Sequence, residues 1–522
     1  MKAFLFSLIA VFATSTALGE PAAEKRCTEL TGVTLDHASV TRAALATVAE
    51  LEEMKVSDVN KVPAFCRVQV TDSPPDDSEI KTEIWLPLEG WNGKLRAQGN
   101  GGFAGTIYLG AMAATVRQGY ATVGTDTGHV GGKGDFALGH PEKVKDFGWR
   151  GVHDMTVEAK AVIKAFYGKE QERAYFTSCS DGGREALMEA ERFPADYDGI
   201  LAGAPAYNWT GLMAGAAENA KWMSSAAANV LPAEKVPALA KAVNAACDVL
   251  DGVKDGVIND PRACGFDPAR MVCKAGDAAD CLLPAQVETV KRIYRGPVND
   301  AGKVMFTGLM PGAEDGPQGW AKWISGHDEG SNMPFFAEGF FANFIYDRDW
   351  TVKTFEFDRD YQLAVKKTAD ALNATDTNLV PFVSRGGKLI LYHGWNDPAI
   401  PALMSVNYYN SVMEKIGQDK AESSVRLYMV PGMQHCGGGP GATDFGQGMG
   451  ARGDATKDVF TALEEWTEKG NGPGVLTAVK REGEGTARVV VMTRPLCPYP
   501  QVAKYDGKGD TAKAGSFACV TK

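Results

Sequence analysis

Histidine is scarce in this chain, with seven residues in 522, and no two of the ten cysteines form a Cys-x-x-Cys pair. Those shortages argue against a zinc ribbon or a histidine-rich catalytic metal centre. Basic charge is short too: 54 lysines and arginines face 65 aspartates and glutamates, a formal net charge of −11. Neither nucleic acid nor an anionic membrane is expected as a partner for so acidic a surface. No glycine-rich dinucleotide fingerprint of the right spacing and context occurs, so no redox cofactor is expected. Long apolar runs are missing beyond the first residues. There, Met1-Lys2 precede an apolar run from Ala3 to Ala13 and small residues up to Ala17-Leu-Gly19. The run is shorter than the roughly 20 residues a membrane span needs. It reads as a secretory signal peptide over residues 1–19, with a soluble mature chain that is secreted or periplasmic.

What is present is ordinary for a globular protein, 44% hydrophobic and 23% charged, and long enough for one large domain with an insertion or for two domains. The most informative stretch runs from Arg173 to Pro194. Its first half reads as a short buried strand, and its second half as a helix with Ala186, Leu187 and Ala190 on one face. Ser180 stands at the join. Its neighbours Ser178 and Gly182 are small, as a serine on a sharp strand-to-helix turn requires, although the usual signature, Gly-x-Ser-x-Gly, has glycine where this chain has Ser178. The bland alternative is a polar turn in which Ser180 caps the helix. Two later stretches favour the catalytic reading. Gly387 to Pro401 is a strand run that breaks into a loop bearing Asp397, and Val425 to Cys436 repeats that form with His435. The order Ser, Asp, His is that of a hydrolase triad whose members project from the carboxyl ends of neighbouring parallel strands. Cys179 precedes the serine and Cys436 follows the histidine, so a chain that brings Ser180 to His435 also brings two sulfurs close enough to bridge.

With these motifs, Cys179-Ser180-Asp-Gly-Gly, Gly394-Trp-Asn-Asp397-Pro and His435-Cys436, the sequence resembles the tannase and feruloyl esterase family of secreted serine esterases, which also contains a hydrolase of mono(hydroxyethyl) terephthalate. The likeness extends from about Cys27 to about Cys519. It implies an α/β-hydrolase fold with a large inserted lid, the catalytic domain comprising residues 20–206 and 381–522 and the lid residues 207–380. An even cysteine count in an exported chain suggests five bridges. The resemblance pairs them as Cys27 with Cys66, Cys179 with Cys436, Cys247 with Cys264, Cys273 with Cys281, and Cys497 with Cys519.

Between Phe65 and Asp135 the pattern is strand-rich, and the run from Lys94 leads directly into Asn100-Gly-Gly-Phe. A glycine loop after an early strand lets a backbone N–H approach the substrate oxygen, so Gly101 or Gly102 is expected to supply one oxyanion donor and the N–H of Asp181 the other. His129, His140 and His153 follow no late strand and read as structural. Within the lid, Cys247 to Pro261 carries acids on a glycine-punctuated loop, a pattern that can converge oxygens on one hard cation without the spacing of an EF-hand. By the family pattern the calcium ligands are the side chains of Asp248, Asp251 and Asp255 and the carbonyls of Val253 and Val257, in a structural role. The bland reading is an exposed acidic turn.

The lid aromatics Trp209, Trp222, Trp320, Trp323, Phe335, Phe336, Phe340 and Phe341 suit an aromatic acyl group, although most aromatics pack inside a domain. Ala399 and Ile400 correspond to pocket-wall positions of the family, and His393, four residues before Asp397, is a candidate to face the site. Asn208-Trp-Thr and Asn373-Ala-Thr are glycosylation sequons. The expected activity is hydrolysis of small aromatic esters through an acyl-enzyme, with feruloyl esters ahead of galloyl esters and a terephthalate monoester as a further option. A serine peptidase fits less well, because no propeller repeat precedes the nucleophile. A non-catalytic binding module would have lost a triad member. Oligomeric state is left open.

Overall fold

The computed structural model describes residues 20–312, 314–325, 331–450, 453–483 and 485–521. The expected signal peptide, residues 1–19, lies outside them. Among the described residues no helix is long and apolar enough to cross a membrane.

Nine strands form the central sheet: β1 (Ala38–Leu45), β2 (Phe65–Asp72), β3 (Ile80–Pro87), β4 (Lys94–Gln98), β5 (Ala121–Thr125), β6 (Arg173–Cys179), β7 (Gly199–Gly203), β8 (Lys388–Gly394) and β9 (Val425–Val430). Their order is β1-β2-β3-β5-β4-β6-β7-β8-β9. The pairs from β5 through β4, β6, β7 and β8 to β9 are parallel. Pairs β1/β2, β2/β3 and β3/β5 are antiparallel. This is the α/β-hydrolase fold. Parallel strands covered on both faces must be apolar along their whole length, and Gly199-Ile-Leu-Ala-Gly203 is buried throughout. Successive side chains of β6 serve opposite cores. Phe176 packs with Val162, Ile163 and Leu187, whereas Tyr175 packs with Leu201, Phe460 and Leu463.

Between β7 and β8 the chain adds no strand to this sheet. It forms helices instead, among them Trp209–Ser225, Val236–Cys247, Pro284–Arg295, Asn332–Phe340 and Phe357–Leu372. Leu239, Val243, Val290, Ile293 and Trp320 make a separate apolar cluster there. Sequence reasoning did not foresee the C-terminal hairpins β10 (Leu476–Glu482) with β11 (Val489–Leu496), and β12 (Gln501–Tyr505) with β13 (Phe517–Thr521). The ten cysteines form five bridges: Cys27–Cys66, Cys179–Cys436, Cys247–Cys264, Cys273–Cys281 and Cys497–Cys519.

Two features bear on the position of the site. A π-helical turn, Asp146–Arg150, precedes the helix Gly151–Tyr167. Such a turn breaks the regular ladder and frees carbonyls, and Arg184, fully buried, donates to two of them, Gly148 O at 2.6 Å and Phe147 O at 3.0 Å. Its Nε donates to Asp181 Oδ1 at 2.5 Å. The first turn of the helix Asp181–Arg192 is thereby tied to the neighbouring layer. The two sequons are engaged with each other: Asn208 Oδ1 accepts from Gly211 N at 3.2 Å, while Asn373 accepts from Thr210 N at 3.1 Å and donates to Thr210 Oγ1 at 2.9 Å.

Replacing Arg184 with methionine leaves the Asp181 carboxylate buried without its partner. A loss of about 3–5 kcal/mol is expected, read as a lower denaturation midpoint, whereas Arg192→Met at the partly exposed end of the same helix, where the Asp370 partner is fully exposed, is expected to change stability by less than about 1 kcal/mol.

Candidate active site

β6, β8 and β9 deliver their carboxyl ends to one edge of the sheet. At the end of β6, Ser180 adopts φ 69° and ψ −125°, a conformation that an L-residue holds only when its surroundings enforce it. Its N–H donates to Gly203 O at 3.0 Å, and its carbonyl accepts from the N–H groups of Gly183, Arg184 and Ala206. The space is tight: a Cβ on Gly182 would lie 1.9 Å from Ser178 Oγ and 2.6 Å from Asn100 O, and one on Gly183 would lie 2.4 Å from Gly203 O. Ser180 begins the helix without a side-chain cap, which sets aside the capping alternative. Its hydroxyl turns the other way.

His435 Nε2 lies 2.9 Å from Ser180 Oγ, and His435 Nδ1 lies 2.9 Å from Asp397 Oδ2. Asp397 Oδ1 accepts from the N–H groups of Ala399 at 2.8 Å and Ile400 at 3.0 Å. Burial alone drives the Asp397 carboxyl up, but the charge of His435 and the hydrogen bonds of His393 and His435 outweigh it and hold the group well below the usual carboxylate range. The Cys179–Cys436 bridge, with Cα atoms 6.0 Å apart, joins the residue before Ser180 to the residue after His435. A hydroxyl, an imidazole and an anchored carboxylate in this line can pass a proton from the hydroxyl to the ring as the oxygen attacks a carbonyl.

The glycine loop stands opposite. Asn100 N–H donates to Glu185 Oε2 at 2.8 Å, its carbonyl accepts from Gly182 N at 3.0 Å, and its side chain donates to Ala104 O and Thr125 O. The loop is thus bolted to the helix that carries Asp181. Glu185 is fully buried, and its carboxyl is pushed up to about 8, by burial first and then by Asp181. Asp181 N–H belongs to the first turn of a helix and has no intrahelical acceptor. Gly101 and Gly102 border a cavity next to Ser180, and Gly102 has φ +63°.

Two cavities meet at Ser180. One, of about 120 Å³, is walled by Trp209, Leu212, Phe306, Trp323, Phe336 and Met404, and Ala399 and Ile400 border it. Among the described residues its walls carry no charged side chain. The other is more polar, with Gln98, Asn100, Tyr108, Thr177 and Gln447 around Ser180 and His435. Trp323 and Phe336 border both, their rings stacked at 6.1 Å, and Trp323 meets the His435 ring edge-on at 5.1 Å. Trp320, Phe340 and Phe341 are core.

The expectation that His393 faces the site is corrected. His393 is fully buried behind Asp397, with Nε2 at 3.2 Å from Asp397 Oδ2 and 3.1 Å from Ile400 O, and Nδ1 at 2.7 Å from Ser405 Oγ. Position four residues upstream on β8 turns the ring to the rear of the acid rather than to the cavity. The three histidines expected to be structural lie apart from Ser180 and His435: His129 against Phe103 O, His140 against Asp77 and His153 against Asp196.

In the loop from Cys247 to Pro261, Asp248 accepts from Asp255 N and Gly256 N, Asp251 from Val253 N, and Asp255 from Val257 N. Arg494 pairs with Asp255 Oδ2. The donors are all oxygens, clipped by Cys247–Cys264. Burial, and after it the charges of Asp255 and Asp248, push the Asp251 carboxyl up to about 6 against the hydrogen bond from Val253. Acids left in that condition fit a hard cation.

A family model described as tannase and feruloyl esterase matches residues 66–520. The chain is 36% identical to an uncharacterized esterase of Xanthomonas campestris pv. campestris, over 100% of this chain and 95% of that one. It is 34% identical to the mono(2-hydroxyethyl) terephthalate hydrolase of Piscinibacter sakaiensis, over 85% and 81%. The crystal structure of feruloyl esterase B from Aspergillus oryzae superposes with a TM-score of 0.85 at 27% identity, covering 95% of this chain and 100% of that one.

Serine at both Cys179 and Cys436 is expected to cost about 2–5 kcal/mol of stability and to depress ester turnover at least about tenfold at temperatures where the chain stays folded. Serine at Cys497 and Cys519 is expected to leave turnover near that of the parent. Steady-state kinetics beside a melting curve checks both, and unchanged turnover in the first pair contradicts the positioning role.

Proposed function

Because the chain belongs to the tannase and feruloyl esterase family and is a carboxylic ester hydrolase, we propose that it cleaves phenolic esters of the hydroxycinnamoyl, feruloyl-like type, with Ser180 as nucleophile, His435 as general base and acid, and Asp397 as the residue that orients and charge-balances the imidazole. Ser180 Oγ attacks the ester carbonyl while His435 Nε2 takes its proton. The N–H of Asp181 and that of Gly101 or Gly102 accept the oxyanion, and the alcohol departs with the proton from His435. Water, deprotonated by the same ring, then releases the acid.

The observation that carries the substrate class is the uncharged, aromatic-walled cavity that opens on Ser180. A terephthalate monoester brings a free carboxylate, whose burial without a cationic partner costs several kcal/mol. A galloyl ring brings three hydroxyls to walls whose described polar side-chain groups besides Ser180 are those of Asn208, Asn219 and Thr307 and the indole N–H groups of Trp209 and Trp323, too few acceptors for three hydroxyls. Burying hydroxyls without partners also costs free energy. A feruloyl ring, with one hydroxyl and one methoxy group, loses least. The more polar cavity on the other side of Ser180 suits the alcohol.

The reading extends to the lid loop: Asp248, Asp251 and Asp255, with the Val253 and Val257 carbonyls, hold a structural Ca²⁺ that supplies the positive charge these acids need. It extends also to an exported, soluble chain, in keeping with five disulfides.

Hydrolysis of methyl ferulate, methyl gallate and mono(2-hydroxyethyl) terephthalate under matched conditions tests the substrate. The expected kcat/KM for methyl ferulate exceeds the other two by at least about tenfold, a difference of about 1.4 kcal/mol in the transition state. Either competitor in front overturns the assignment, and Ser180→Ala is expected to lose about 10³-fold or more in kcat. For the loop, the folded pKa of Asp251 lies above its unfolded value near 3.9, so the folded state binds more protons between about pH 4 and 6. Stability therefore falls as pH rises through that window. The melting-temperature gain on adding Ca²⁺ to chelated protein should accordingly grow from about pH 4 to 6 and shrink in Asp251→Asn. A gain independent of pH, or of the substitution, contradicts the loop as its source.

A further inference from the structure

Away from the cleft, His153 on the helix Gly151–Tyr167, Glu189 on the helix Asp181–Arg192 and Asp196 on the turn into β7 come together. One ligand atom of each lies within 4.8 Å of the others, and among the described residues this is the one such group of three histidine, cysteine or carboxylate side chains. Asp196 is already compensated: His153 Nδ1 lies 2.6 Å from its Oδ2, and Lys160 Nζ lies 3.6 Å from its Oδ1. Glu189 differs. It is 1% exposed, and neither of its carboxylate oxygens has a hydrogen-bond partner.

A bare carboxylate is untenable there. Two arrangements relieve it: a proton shared with Asp196, or a cation bound by both acids and the ring. The histidine favours the second. Its ring is stacked on Phe193 at 3.8 Å and 14°, which fixes the plane in which its nitrogens point. Its side chain keeps 27% of its surface exposed, which leaves the group a way in from solvent. One imidazole nitrogen and two carboxylates form a mixed N/O set that suits a borderline divalent ion with water in a fourth position, whereas the lid loop offers oxygen alone.

We propose that His153, Glu189 and Asp196 form a binding site for a divalent transition-metal ion of the zinc type, distinct from the lid loop. Glu189 stands nine residues beyond Ser180 on one helix, about 13 Å along its axis, so the ion touches no reacting atom. It pins the far end of the nucleophile helix to the adjacent helix and to the turn that starts β7.

The test uses the full mature chain, stripped with chelator and then held in excess Ca²⁺ to occupy the oxygen-only loop. Titration with Zn²⁺ by calorimetry is expected to show one equivalent, and Co²⁺ at the same site is expected to give visible ligand-field bands at least several-fold more intense than the weak ones of an all-oxygen octahedral site. Glu189→Gln and His153→Gln should each weaken Zn²⁺ binding about tenfold or more and remove the Co²⁺ bands, while Asp251→Asn leaves both unchanged. No Zn²⁺ uptake, an affinity unchanged in both variants, or an equivalent lost only in His435→Ala overturns the proposal. His153→Gln, at a partly exposed ring, keeps the test decisive should Glu189→Gln fail to fold.

Discussion

The covalent link between Cys179 and Cys436 is the constraint on which the cleft depends. It closes a loop of 257 residues, and in the chain-entropy picture a cross-link of that length withdraws on the order of 5 kcal/mol of freedom from the unfolded chain. More to the point, it acts at the two residues adjoining Ser180 and His435. Both flanks are conformationally demanding, since Ser180 has φ 69° and Cys436 φ 61°. A sheet edge alone brings three strand ends near one another. The bridge narrows that neighbourhood to hydrogen-bond distance between two particular side chains.

The remaining members are held by hydrogen bonds and ion pairs rather than sulfur. Asp397 is gripped from the front by His435, from behind by His393, and along one oxygen by two backbone N–H groups. Arg184 and Glu185, one turn into the helix that follows Ser180, reach outward in different directions, the first to the π-helical turn and the second to the glycine loop. Consecutive residues of one helix therefore register both the π-helical turn and the glycine loop against the serine. Each grip is buried, so loss of one partner leaves a stranded charge or dipole, and tolerance to substitution there is low.

The strands that carry the triad are legible in the sequence because a parallel strand buried on two faces must be apolar and short, and the break into a polar loop marks its carboxyl end. Ser180, Asp397 and His435 follow such breaks, and the structure brings them to one edge. Cys179 and Cys436 are readable as neighbours only because the residues beside them must meet. Other features leave no local trace. The antiparallel run β1-β2-β3 differs from its parallel continuation in partner direction, which periodicity does not encode. The ring of His393 turns behind Asp397 because of where β8 ends. Its spacing of four residues is equally compatible with the front. Glu189 looks like any acid on a helix, and its isolation arises from Asp196 and His153, which belong to other segments. The sequons at Asn208 and Asn373 are legible as motifs, but the use of their amides on Thr210 and on a helix start is not.

The 257-residue separation also governs timing. Synthesis runs from the amino end, so Ser180 and its glycine loop emerge long before the segment that bears His435. A nascent chain carries a serine without a base, and a complete chain kept in a reducing milieu carries both without their clasp. The clasp at the cleft therefore forms only once both segments exist and an oxidant has joined Cys179 to Cys436.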